Sequence, residues 1–157
     1  MTRILFVCLG NICRSPTAEG VFASQLQRST LMHDVCIDSA GTGGFHTGEA
    51  PDRRASAAAL QRGYDIRALR ARAVVDEDFE RFDLILAMDQ SNLNNLRARA
   101  PAQARAQLHL MMDFASGDWP CEVPDPYFGG DDGFERVLDM LEAASCGLLE
   151  QLAKPSC

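Results

Sequence analysis

Five apolar residues, Ile4-Leu5-Phe6-Val7-Cys8, are followed after a short loop by Ser15-Pro16, and this junction constrains the fold more than any other stretch. A continuous apolar run of that length suits a strand buried on both faces of a parallel sheet. Serine at an N-cap followed by proline at the first helical position predicts a helix start. Ala18, Val21, Phe22 and Leu26 then recur at helical spacing. A buried strand that feeds a helix in this way calls for a parallel neighbour, reached by a right-handed crossover.

The rest of the chain repeats the alternation. Strands are predicted over 35–40, 83–88 and 108–112. Helices are predicted over 52–62 with Gly63 as its stop, around Leu93, Leu96 and Ala100 until Pro101, and along a C-terminal stripe from Phe134 to Leu152. Residues 41–48 hold too much glycine for regular structure, and the prolines and glycines of 120–130 mark a second irregular loop. The expected architecture is a single doubly wound α/β domain spanning residues 1–157. A four-stranded parallel sheet carries helices on both faces, with the functional loop after strand 1.

Composition narrows the function classes. With 46% apolar and 24% charged residues, the chain has the balance of a folded soluble domain. No apolar run approaches the roughly 18 residues of a membrane span, and the N-terminus lacks the pattern of a signal peptide. The cytosol is the expected location. The net charge is −7. Residues 1–112 are nearly balanced, with 13 basic and 12 acidic side chains, whereas residues 113–157 carry 2 basic and 10 acidic. No basic stripe invites nucleic acid, so any anion must be held by local geometry rather than by the overall field.

The six cysteines include no C-x2-C pair, and His33, His46 and His109 sit at no ligand spacing from them, so neither a metal nor another cofactor is expected. The close pair, Cys8 and Cys13, lies in Cys8-Leu9-Gly10-Asn11-Ile12-Cys13-Arg14-Ser15, between the first strand and the first helix. Amides at a helix N-terminus point outward with partial positive charge and cradle anions. The backbone of Leu9, Gly10, Asn11, Ile12, Cys13 and Ser15 can ring a tetrahedral oxyanion, and Arg14 can close the ring with a bidentate fork. The same field favours the thiolate of Cys8, the nucleophilic form. Cys13 reads equally as a small loop residue or as a redox partner of Cys8.

Phosphoryl transfer to a thiolate also needs a proton donor for the leaving oxygen. The candidate is Asp125, held between Pro124 and Pro126, although Asp-Pro is also a common turn initiator. Tyr127, Phe128 and, from the glycine-rich loop, Phe45 can wall a slot for a flat ring.

These blocks together resemble the low-molecular-weight protein tyrosine phosphatases, colinearly over essentially the whole chain. The matching segments are Val7 to Glu19, Ile37-Asp38-Ser39-Ala40-Gly41-Thr42, Glu77-Asp78-Phe79, Phe82-Asp83, Met88-Asp89, Ser91-Asn92-Leu93, Asp125-Pro126-Tyr127 and Phe134-Glu135. The resemblance implies hydrolysis of phosphotyrosine in protein substrates and inhibition by phosphate-like oxyanions. It implies that Cys8 is the nucleophile, Arg14 the phosphate clamp and Asp125 the general acid. It further implies that Ser15 donates to the Cys8 sulfur, that Asn11 and Ser39 brace the loop, that Asp89 anchors Arg14, and that Phe45, Tyr127 and Phe128 are the cleft walls. Two positions depart from the usual pattern: Phe128, where many members carry Tyr, and Leu69, where many carry His.

Other readings of the same loop compete. Arsenate reductases of this fold need relay cysteines, and none stands between Cys36 and Cys121. Protein-arginine phosphatases typically place Thr where this chain has Ile12. A flavodoxin-like carrier gives Cys8 and Arg14 no role. A non-catalytic phosphotyrosine-binding module has no use for Cys8, Arg14 and Asp125 together.

Overall fold

The structure, a computed structural model, describes residues 1–127, 129 and 132–154. Its centre is β1 (Thr2–Cys8), buried from Ile4 to Cys8 and flanked by β2 (Val35–Gly41) on one side and β3 (Leu84–Ala87) on the other. The fourth strand, β4 (Gln107–Leu110), pairs with β3, giving the order β2-β1-β3-β4 with every pairing parallel. The helices are α1 (Arg14–Gln27), α2 (Arg53–Gln61), α3 (Asp78–Arg81), α4 (Gln90–Arg99) and α5 (Asp132–Ala153).

Alternation along β1 splits the core into two layers. Ile4, Phe6 and Cys8 pack with Phe22 of α1 and with Val137, Leu141 and Leu148 of α5. Leu5 and Val7 face the other way, onto Phe79 of α3 and Leu93 and Leu96 of α4. Both faces of the sheet are therefore covered, as the uninterrupted apolar run of β1 requires.

Two local expectations are corrected, and one short element is new. Helix α1 begins at Arg14, its N-cap is Cys13, and no side chain caps it; Ser15 is already inside the helix, its hydroxyl turned elsewhere. β4 ends at Leu110, and Met111–Phe114 form a 3-10 turn whose buried Met111 and Met112 extend the apolar pattern past the strand. The single turn α3 was not expected, because four residues are too few to display a helical period.

The C-terminal end of the sheet is where β1 delivers Cys8. Gly41, the last residue of β2, passes directly beneath the loop that follows. A Cβ built there would sit 2.7 Å from the Leu9 carbonyl oxygen and 2.9 Å from that of Gly43. Only glycine allows this approach of backbone to backbone. Thr42 and Gly43 then donate their N–H groups to the carbonyls of Cys8 and Leu9, both at 2.9 Å.

Candidate active site

Cys8 lies at the floor of a cleft lined by Leu9, Gly10, Ile12, Cys13, Arg14, Phe45, His46, Asp125 and Tyr127. The loop from Cys8 to Arg14 turns inside it. The Asn11 N–H donates to Cys8 Sγ at 3.3 Å, and Ser15 Oγ stands 3.0 Å from the same sulfur. Asn11 Nδ2 donates to Ser15 Oγ at 2.7 Å, so that hydroxyl accepts from Asn11 and keeps its own proton for the sulfur or for the Ala40 carbonyl at 3.5 Å. The Ser15 hydroxyl, which position suggests as a cap and the resemblance as a partner of the sulfur, caps nothing and lies against Cys8 Sγ.

Asn11 bends the loop, with φ at +56°, a left-handed value that asparagine tolerates better than most residues. Its side chain is buried and fully engaged. Nδ2 also reaches Ser39 Oγ at 3.0 Å, and Oδ1 accepts from the Arg72 N–H at 3.0 Å. Ser39 in turn donates to Glu19 Oε1 at 2.7 Å. A line of hydrogen bonds therefore runs from Glu19 through Ser39, Asn11 and Ser15 to Cys8. Burial pushes the Glu19 carboxyl above the usual glutamate range, although the Ser39 hydroxyl works against the shift. Leu69 packs on the partly separate cluster of Val21, Tyr64 and Ile66.

Arg14 is 3% exposed. Its Nη1 donates to Asp89 Oδ2 at 2.6 Å and to the Val123 carbonyl at 3.1 Å. Asp89 divides its labour, because its other oxygen accepts from the Asn92 N–H and caps α4. The second terminal nitrogen of Arg14 faces Asp125, with Nη2 3.7 Å from Oδ2. Asp125 Oδ1 accepts from the Tyr127 N–H at 3.0 Å, which turns the carboxylate back over the loop. Val123 roots this segment by donating its N–H to the Met88 carbonyl at 2.8 Å.

Cys13 is a neighbour of different character. Burial, reinforced by the Asp52 carboxylate, pushes its thiol up to about 12. Phe45 is 75% exposed and Tyr127 39% exposed, both at the cleft mouth, while Phe128 lies outside the described residues. Among the described residues, no group of three or more His, Cys, Asp or Glu is arranged to hold a metal. No helix among them is long and apolar enough to cross a membrane.

Sequence reasoning missed His46, on the cleft wall and joined to Glu49 Oε2 at 2.7 Å. It also missed Asp52 and Arg54. Burial raises the Asp52 carboxyl, but hydrogen bonds from the Arg54 side chain and N–H outweigh it, and the net shift is downward. No spacing links these residues to Cys8; only the fold brings them near.

The comparisons agree with this geometry. The model of the family described as "Low molecular weight phosphotyrosine protein phosphatase" matches residues 3–156. A low molecular weight protein-tyrosine-phosphatase of Streptomyces coelicolor is 47% identical over 150 residues, covering 94% of this chain and 91% of its own. Among solved structures, a protein tyrosine phosphatase of Entamoeba histolytica with Hepes in the active site superposes with a TM-score of 0.93 at 43% identity, over 97% of each chain. An arginine phosphatase of Drosophila superposes with a TM-score of 0.91 at 29% identity, over 99% of this chain and 100% of its own. Matched along nearly its full length in both sequence and structure, the chain belongs to the low-molecular-weight phosphotyrosine protein phosphatase family.

Proposed function

We propose that this protein tyrosine phosphatase hydrolyses phosphotyrosine in protein substrates through a phosphocysteine on Cys8, with Arg14 and the loop amides holding the phosphate and Asp125 moving the proton. The observation that carries the reading is the convergence of Cys8 Sγ, Arg14 Nη2 and Asp125 Oδ2 on one cleft.

In the first step Cys8 attacks phosphorus in line as the bond to the phenolic oxygen breaks, and Asp125 gives that oxygen its proton. Asp125, now ionised, takes a proton from water as the water attacks the phosphocysteine, releasing phosphate and the Cys8 thiolate. Arg14 and the amides of residues 9–15 neutralise the three equatorial oxygens throughout, so catalysis is mostly positioning and electrostatics. This charge leaves no step that calls for a metal. Phosphate-like oxyanions inhibit by occupying the same ring.

Phe45 and Tyr127 at the mouth fit a phenyl ring between the walls and the loop, a depth that phosphoserine is too short to span. Ile12 in the lining and the aromatic walls favour aryl phosphate over phosphoarginine. The deciding measurement is turnover of p-nitrophenyl phosphate in the presence of a chelator, by wild type and by Cys8→Ser. Wild type should turn over, and Cys8→Ser should lose on the order of 10⁶-fold, the scale for removing a nucleophile. Full activity in Cys8→Ser, or dependence on a chelatable metal, overturns the reading. Parallel assays on phosphoserine and phosphoarginine peptides test the choice of substrate.

A further inference from the structure

Arg54, in the first turn of α2, has no part in the chemistry just described, yet it joins residues 8–14, the phosphate loop, to residues 123–127, the acid loop that carries Asp125. Its guanidinium forks onto Asp52, with Nε 3.2 Å from Oδ1 and Nη2 3.2 Å from Oδ2. The same Nη2 donates to the Tyr127 carbonyl at 2.9 Å. The guanidinium carbon also lies 5.6 Å from the Tyr127 ring centroid and 4.9 Å from that of Phe134, in the first turn of α5. Both distances suit cation–π attraction.

Each end of this bridge is fixed. Asp52 caps α2 by accepting from the N–H groups of Arg54 and Ala55, and its own N–H donates to the carbonyl of Ile12, in the phosphate loop, at 2.8 Å. At the other end, the Tyr127 N–H holds Asp125 Oδ1. An unbroken path therefore runs from Ile12 through Asp52, Arg54 and Tyr127 to Asp125. Upstream of Asp125 the acid loop is rooted by Val123, and downstream Arg54 grips its backbone at Tyr127. A general acid works only within hydrogen-bond reach of the leaving oxygen, and a misplacement of about 1 Å can cost about 10²-fold.

We propose that Arg54 is a positioning residue that latches the acid loop to α2 and so sets Asp125 over Cys8. This rests on the assignment of Asp125 as general acid, so the test includes both residues. The measurement is kcat/KM, which reports on cleavage of the phenolic P–O bond, across aryl phosphates from phenyl phosphate to 2,4-dinitrophenyl phosphate. The proteins are wild type, Arg54→Ala, Arg54→Gln, Arg54→Lys, Asp125→Ala and Arg54→Ala/Asp125→Ala, each checked for folding by circular dichroism.

Arg54→Ala should lose about 10–10²-fold on phenyl phosphate, and the loss should shrink toward 2,4-dinitrophenyl phosphate, whose leaving group needs little protonation. Arg54→Lys, which keeps a donor for Tyr127 but not the fork, should fall between Arg54→Ala and wild type. Inhibition by inorganic phosphate should be unchanged. In the Asp125→Ala background, the Arg54 substitution should cost little more, because the two act through one proton. A loss equal across leaving groups, an additive loss in the double variant, or weakened phosphate inhibition overturns the latch. If Arg54→Ala does not fold, Arg54→Gln is read by the same criteria. If Asp125→Ala itself shows no leaving-group dependence, the acid assignment fails and the latch falls with it. That outcome differs visibly from one in which Asp125→Ala behaves as an acid variant and Arg54→Ala does not.

Discussion

The two halves of the cleft are built on opposite principles. The phosphate loop is sunk into the protein, with Asn11, Arg14 and Ser15 all nearly inaccessible and cross-tied to Ser39, Asp89 and the backbone of Arg72. The acid loop rides on the surface. Of its residues, Val123 and Pro126 are buried while Asp125 and Tyr127 are exposed, and a few main-chain bonds hold it. Anion binding requires many donors fixed before the phosphate arrives, and burial fixes them. Proton delivery requires one group at one place, which a thin ribbon can supply. Damage to the first half should therefore cost stability and activity together, and damage to the second should cost activity alone.

The sharpest way to break that contrast is Asp125→Ala. It should lower kcat/KM on aryl phosphates by about 10²–10⁴-fold, least for leaving groups of low pKa, with the melting temperature and phosphate inhibition unchanged. A large fall in melting temperature would place the acid loop among the structural elements. Next in size, Arg14→Lys keeps the charge but loses the fork, and should cost about 10²–10³-fold in kcat/KM together with weaker competition by inorganic phosphate. Phosphate competition at wild-type strength would remove Arg14 from the anion ring.

Asn11→Ala probes the buried half through stability. It strands the Arg72 N–H, an unsatisfied group costing about 1–3 kcal/mol, removes the donor that the Ser15 and Ser39 hydroxyls share, and leaves alanine at a positive φ. Denaturant unfolding should show the loss, and an unchanged midpoint would mean that the bracing is dispensable. The thiols give a finer contrast. Iodoacetate at pH 6–8 should modify Cys8 and be blocked by phosphate, while Cys13, with its thiol near 12, stays protonated and unlabelled. Peptide mapping that finds label at Cys13 would contradict this.

The smallest effect concerns Glu19. Its carboxyl is raised in the folded protein, so the folded state binds the proton more tightly than the unfolded chain does. The stability this contributes is present below the ordinary glutamate value and is lost as pH rises through the raised one. Glu19→Gln should therefore gain relative stability toward neutral pH and lose that advantage in acid. Equal melting temperatures for the two proteins at every pH would show that Ser39 offsets the burial completely.

How much of this was legible in the sequence follows the range of each interaction. β1, β2, β3 and α5 show in the sequence because burial writes its own periodicity into neighbouring residues. β4 blurred into the following turn because Met111 and Met112 are buried without being in a strand. Cys8, Arg14 and Ser15 lie within one loop, and their pattern is local. Position alone suggests Ser15 as a cap, and only the resemblance points it at the Cys8 sulfur, since a hydroxyl in the first turn has several partners within reach. Arg54 and His46 carry no local signature at all. Their roles depend on where α2 and the glycine-rich loop come to rest against residues far away in sequence.

The close passage of Gly41 beneath the phosphate loop has a consequence for how such a protein can change. Peptide groups, from Gly41 below and from Thr42 and Gly43 beside it, support Cys8 and Leu9. Main-chain atoms are the same whatever the gene encodes, so the mould of this part of the loop is shielded from ordinary sequence drift, with position 41 itself as the exception. The exposed ring of Phe45, which lies over Gly43, is a side chain and has no such shield. Variation at position 45 can thus accumulate at the mouth of the cleft while the bed under Cys8 stays as it is, and a library randomised there would vary the mouth over an unaltered floor.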